Sequence, residues 1–231
     1  MAFNSTAGSV GKSADGNRWL VNGTAVSGAT GSIFVLTEAQ VGNTITVTAS
    51  YTDGYGTAES KTSAATGVVA NINDSPTGNI TITGTPTQGQ VLTATSTVAD
   101  LDGLGTISYQ WKVDGSSISG ATASTLTLSE AQVGKVITAV ASYTDGHGAA
   151  ETVTSNASAS VANVNDAPTG AVTITGTATQ GQTLTASNNL TDADGMGTVS
   201  YHWKADGLNI TGATACSYSV SAPEVGNSIT A

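Results

Sequence analysis

Closely spaced carboxylates are the feature of this sequence with the most chemical content. Asp100-Leu101-Asp102-Gly103 recurs as Asp192-Ala193-Asp194-Gly195, Asn73-Asp74 as Asn165-Asp166, and Asp53-Gly54 as Asp145-Gly146. Two carboxylates held two residues apart in a glycine-containing loop repel one another unless a cation lies between them. Calcium suits such a set, because it takes roughly six to eight oxygens from carboxylates and backbone carbonyls in adaptable loops. The same residues also make turns. Asp-Gly is a favoured hairpin turn and Asn-Asp-x-Pro is turn chemistry. For Asp53 and Asp145 the turn and ligand readings stand side by side, whereas the Asp-x-Asp-Gly loops read as ligand loops.

Other chemistry finds little support, and no enzyme is expected. His147 and His202 occupy unrelated places in the pattern, and Cys216 stands where Ser32 and Ser124 stand elsewhere. Neither a nucleophile–base pair nor a pocket-building insertion is visible. With a single cysteine there is no intrachain disulfide. Six basic residues against 16 acidic ones give a net charge of −10. Nucleic-acid binding relies on clustered Lys and Arg to replace counterions, so that class is excluded, and divalent cations become the natural partners. No run approaches the roughly 18 apolar residues of a membrane span. Met1-Ala2-Phe3-Asn4-Ser5 lacks the charged and apolar regions of a secretion signal, so any export address is expected elsewhere in a longer parent.

The elements that must position these carboxylates follow a repeat of 92 residues. Trp19, Trp111 and Trp203 mark it, as do Gly28-Ala29-Thr30, Gly120-Ala121-Thr122 and Gly212-Ala213-Thr214. The segments 71–78 and 163–170 carry the repeated Asn-Asp-x-Pro-Thr-Gly and read as linkers. They divide the chain into an incomplete repeat at 1–72, a complete one at 73–164 and a truncated one at 165–231. Within the complete repeat the hydrophobic period is two. Ile107, Tyr109, Trp111 and Val113 alternate with polar residues, as do Ile137, Ala139, Ala141 and Tyr143. Leu126 and Leu128, Ile80 and Ile82, Leu92 and Ala94, and Ala157, Ala159 and Val161 supply further strands. About seven strands in roughly 90 residues predict an all-β, immunoglobulin-like Greek-key sandwich. Ser129 and Gln132, at capping-box spacing, predict a short helical turn. The parity of the three tryptophans assigns them to the core rather than to a sugar-stacking platform. Tyr51, Tyr109, Tyr143, Tyr201 and Tyr218 share that parity, and only Tyr55 is expected at an exposed loop tip.

The segment Ile107 to Gly115, the Gly120-Ala121-Thr122 turn and Leu128 to Gly134 resemble the Ig-like repeats of giant bacterial surface adhesins. Such repeats also occur in S-layer and RTX-type secreted proteins. Val164-Asn165-Asp166-Ala167-Pro168 is similar to the calcium-binding linker of cadherin-like repeats. The RTX calcium nonapeptide is absent. In a sandwich of this kind the B–C and F–G loops gather where the linker enters. The resemblance therefore implies one calcium set at Asn73, Asp74, Asp100, Asp102 and Asp145, and a second at Asn165, Asp166, Asp192 and Asp194. It adds Glu38 or Glu130 from the preceding repeat. The first repeat departs from the pattern, with Gly8 and Val10 in place of the paired aspartates. The third departs too, with Ala222 in place of Glu130 and Glu224 two residues on. The implied function is a spacer in a large secreted or cell-surface adhesin, stiffened by calcium and contacting mainly its own neighbouring repeats. The alternative is a glycan- or protein-binding accessory module of a secreted enzyme.

Overall fold

The computed structural model describes residues 2–4 and 16–231. Gly8 and Val10 lie outside the described residues. The chain is all-β, with antiparallel sheets and three short 3-10 turns among the described residues.

The second repeat shows how alternation builds a sandwich. One sheet holds Ile80–Thr83, Val91–Ser96 and Thr125–Thr127, with Val91–Ser96 in the middle. The other runs in the order Ser116–Ser117, Ser108–Val113, Ile137–Thr144, Ala150–Thr154. Consecutive strands change sheets three times, giving the strand order of an immunoglobulin-like sandwich. Along Ile137–Thr144 the side chains of Ile137, Ala139, Ala141 and Tyr143 are buried and those between them are half-buried. This is the period of two that a half-buried strand requires. The inward faces meet in a single cluster around Trp111, which is 0% exposed, with Leu92, Leu128, Ile137, Ala139 and Ala141. Leu92, Ala94, Ala139 and Ala141 occupy the space that a cysteine pair bridges in antibody domains.

An indole in a core needs a partner for its N–H. Each tryptophan finds the equivalent carbonyl: Trp19 donates to Gly31, Trp111 to Ala123 and Trp203 to Ala215, all at 2.9 Å. The hairpin turns are also repeated. Asp114-Gly115 has φ of 45° and 81°, the positive pair that a tight hairpin needs, and Asn22-Gly23 and Asp206-Gly207 match it. The expected helical turn is a 3-10 turn at Glu130–Gln132, where the Ser129 N–H donates to Gln132 Oε1 at 2.9 Å.

Three expectations change. The last strand of the second repeat is Ala150–Thr154, not the stretch around Ala157 and Ala159. Residues 155–162 run on beside Ile137–Thr144 without a regular ladder. There the Ser155 and Ser158 hydroxyls accept the N–H groups of Ala139 and Ile137 at 2.9 and 3.0 Å. In the third repeat the strand expected at the counterpart of Ser108–Val113, 92 residues on, shrinks to Lys204–Ala205, because the partner facing it is only Ile229–Thr230. Trp203 is nevertheless fully buried. Tyr51 is 45% exposed, and its hydroxyl donates to Glu59 across the strand pair rather than packing inward.

Candidate metal centre

The linker (71–78), the B–C loop (97–107, between Val91–Ser96 and Ser108–Val113) and the F–G turn (145–149, between Ile137–Thr144 and Ala150–Thr154) converge at one end of the second sandwich. Linker and loop are joined by reciprocal Thr77–Ala99 backbone hydrogen bonds of 2.8 and 3.0 Å. The Asp74 N–H donates to Asp102 Oδ2 at 2.6 Å. The F–G turn docks through the Gly146 N–H, which donates to the carbonyls of Asp102 at 3.0 Å and Gly103 at 3.2 Å. Small residues permit this approach. A Cβ on Gly146 would lie 2.5 Å from the Asp102 carbonyl oxygen, and one on Gly105 would lie 1.9 Å from that of Thr144.

Asp100 shapes the loop from within. Its Oδ1 accepts the Asp102 N–H at 2.9 Å, and its Oδ2 accepts the Tyr143 hydroxyl at 2.5 Å. Burial, and then the hydrogen bond to Asp100, pushes the Tyr143 hydroxyl well above the usual phenol range. Asp145 organises the F–G turn, its Oδ1 accepting the N–H groups of His147 at 2.9 Å and Ala149 at 2.8 Å. Asp53 makes the same turn in the first repeat, accepting the N–H groups of Tyr55 and Thr57. Those backbone donors, Thr57 foremost, hold its carboxyl below the usual carboxylate range.

What turn chemistry leaves over is informative. Asp102 is 4% exposed and Asp145 7%, yet Asp102 Oδ1 and Asp145 Oδ2 are buried with no hydrogen-bond partner. Asn71 Oδ1, just upstream in the linker, is in the same condition. Each unpaired buried polar atom costs about 1–3 kcal/mol, and more when charged. A bound cation removes that cost.

The first repeat reaches into this centre. Glu38, which opens the 3-10 turn Glu38–Gln40, meets His147 across the junction, with Oε1 and Nε2 3.0 Å apart. One ligand atom each from Glu38, Asp102 and His147 lie within 4.8 Å of one another. Oxygens on opposite sides of one calcium ion are about 4.6–5.2 Å apart, so a set of this span can enclose a single ion.

The next junction repeats the plan with carboxylates alone. Glu130, Asp166 and Asp194 bring oxygens within 4.8 Å of one another, and Glu130 Oε2 is buried without a partner. The Asp166 N–H donates to Asp194 Oδ2 at 2.7 Å, and the Asp194 N–H to Asp192 Oδ1 at 2.9 Å, as at the first junction. Gln88 adds a hydrogen bond of 2.8 Å to Asp166 Oδ2. Sequence-derived residues thus fall into distinct places. Asp102 at one junction, and Asp166 and Asp194 at the other, belong to the clusters, while Asp145 holds its turn and keeps a buried, unpartnered Oδ2. Asp100 and Asp192 brace their loops, and Asp74 secures Asp102 through its backbone. Asn73 instead bonds Glu151 at 2.7 Å, and Asn165 bonds the Asp166 carbonyl at 2.9 Å.

His147 and Asn71 were not in the sequence-derived set. The signal for His147 was its place two residues after Asp145 in the same turn. For Asn71 it was the linker motif itself.

No family model matches the chain, and no curated protein matches it. Among solved structures, the chain is similar to a Ca2+-stabilized adhesin that helps an Antarctic bacterium reach out and bind ice. The two are 14% identical with a TM-score of 0.31, and the alignment covers 99% of this chain. The chain spans 59% of the length of that adhesin chain.

Proposed function

We propose that this chain is a spacer segment of a large secreted or cell-surface adhesin, in which calcium at each junction fixes the angle between successive Ig-like repeats. The observation that carries the reading is the buried, unpartnered Oδ1 of Asp102, a residue whose carboxylate gathers with Glu38 of the preceding repeat and His147 within 4.8 Å. Backbone N–H groups account for one oxygen each of Asp102 and Asp145 and leave the other buried without a partner. At the first junction Glu38 and Asp102 would hold the ion, with His147 beside them. At the second, Glu130, Asp166 and Asp194 would do so. Calcium would supply the positive charge that lets these groups share a small volume.

The rest of the surface fits a passive role. Tyr55, 99% exposed, is the one tyrosine or tryptophan standing fully clear of the described surface, too little for a sugar-stacking platform. A linker that is floppy without calcium and fixed with it turns a string of repeats into a rod, which extends whatever the parent protein carries. Isothermal titration of the metal-free chain tests the reading. Two calcium ions bound per chain, with a rise in melting temperature, are expected; no heat and an unchanged melting temperature would reject it.

A further inference from the structure

The two junctions differ in one donor. At the second, the clustered groups are three carboxylates; at the first, they are Glu38, Asp102 and the imidazole of His147. Calcium takes oxygen ligands, whereas an imidazole nitrogen beside carboxylates suits zinc and its first-row neighbours. We propose that the first junction, which takes calcium when no other dication is present, prefers zinc-like dications through His147, while the second remains an oxygen-only site. The inference rests on reading the junction as a cation site and assigns the ion it prefers.

Three features support it. The imidazole, although exposed, lies against the preceding repeat, with Nε2 3.0 Å from Glu38 Oε1. Its backbone is fixed, since the His147 N–H donates to Asp145 Oδ1 at 2.9 Å. The third donor is the buried Asp102, with an oxygen that no protein group satisfies. A surface His–Glu pair alone is worth little, and it leaves that oxygen unexplained. In a tetrahedral zinc site with bonds of about 2.0–2.1 Å, ligand atoms lie about 3.3 Å apart. Atoms already within 4.8 Å reach that spacing by side-chain rotation. The His147 side chain and Glu38 keep a solvent-facing side, leaving room for water as a further ligand.

The test uses the full chain with Cys216→Ser, because that exposed thiol is a competing donor. Zinc chloride and calcium chloride are titrated separately by calorimetry, and the imidazole resonances of His147 and His202 are followed by NMR. Cobalt(II) absorption reports the coordination geometry. One zinc per chain is expected, shifting His147 and not His202. His147→Tyr, which installs the residue found at this place in the first repeat (Tyr55), should weaken zinc binding at least about tenfold while calcium at the second junction stays unchanged. His147→Gln serves as a second variant should the tyrosine perturb the turn. Unmoved His147 resonances in the parent chain, or equal zinc affinity in a folded His147 variant, would overturn the inference even where calcium still binds. Zinc bound through His147 with no calcium bound at either junction would instead defeat the spacer reading and leave this one standing.

Discussion

Asp102 has two oxygens in different circumstances, and the difference defines what the residue does. Oδ2 accepts the Asp74 N–H, tying linker to loop, while Oδ1 is buried and unpaired. Asp102→Asn keeps an acceptor and removes the charge. Calcium affinity at the first junction is expected to fall at least about tenfold, with the second junction unaffected, as titration calorimetry will read. In chelator the same variant should melt no lower than the parent, because an unpaired buried charge is destabilising when no cation offsets it. Tyr143 makes a separate, alkaline prediction. Its raised folded pKa means that its stabilising effect is complete below the unfolded phenol value of about 10 and is lost as pH rises toward the folded value. Melting temperatures measured from about pH 8 to 11 should therefore fall less steeply for Tyr143→Phe than for the parent chain.

Loops and turns carry the site, and strands aim them. The B–C loop lies against the F–G turn because Gly146 lets its own N–H reach the Asp102 carbonyl. Gly146→Ala should push the two apart, lowering calcium affinity about tenfold while the near-ultraviolet circular dichroism of the Trp111 core stays intact. Gln132→Ala should remove the capping contact that begins the Glu130–Gln132 turn and cost about 1 kcal/mol, measured by denaturant melting. Much of this scaffold was legible in the sequence. Strict alternation around Trp111 and Ile137 gave the strands, and Asp114-Gly115 gave the hairpin. The strand at Ala150–Thr154 was hidden because its alternation is weak: Glu151 and Val153 face one way and neither is fully buried. The alanine alternation at 157–161 drew attention instead, but Ser155 and Ser158 satisfy the backbone there through their hydroxyls. Contacts between repeats were legible only through a resemblance. His147 was set aside because a loop-tip residue gives no sequence sign that the preceding repeat supplies its partner 109 positions earlier.

For the molecule as a whole, charge and repetition combine. A chain with net charge −10 gathers Glu38 and Asp102 at one junction and Glu130, Asp166 and Asp194 at the next. On the proposed reading, those groups would repel one another without a cation and the junction would lose its preferred angle. With calcium at about 100 times its dissociation constant, each site adds roughly 2.7 kcal/mol to the folded state. Small-angle scattering of the full chain in calcium and in chelator tests this most directly. A larger maximum dimension and a sharper, rod-like profile in calcium, reverting on chelation and absent in Asp102→Asn combined with Asp194→Asn, are expected. Superimposable profiles under both conditions would contradict the account.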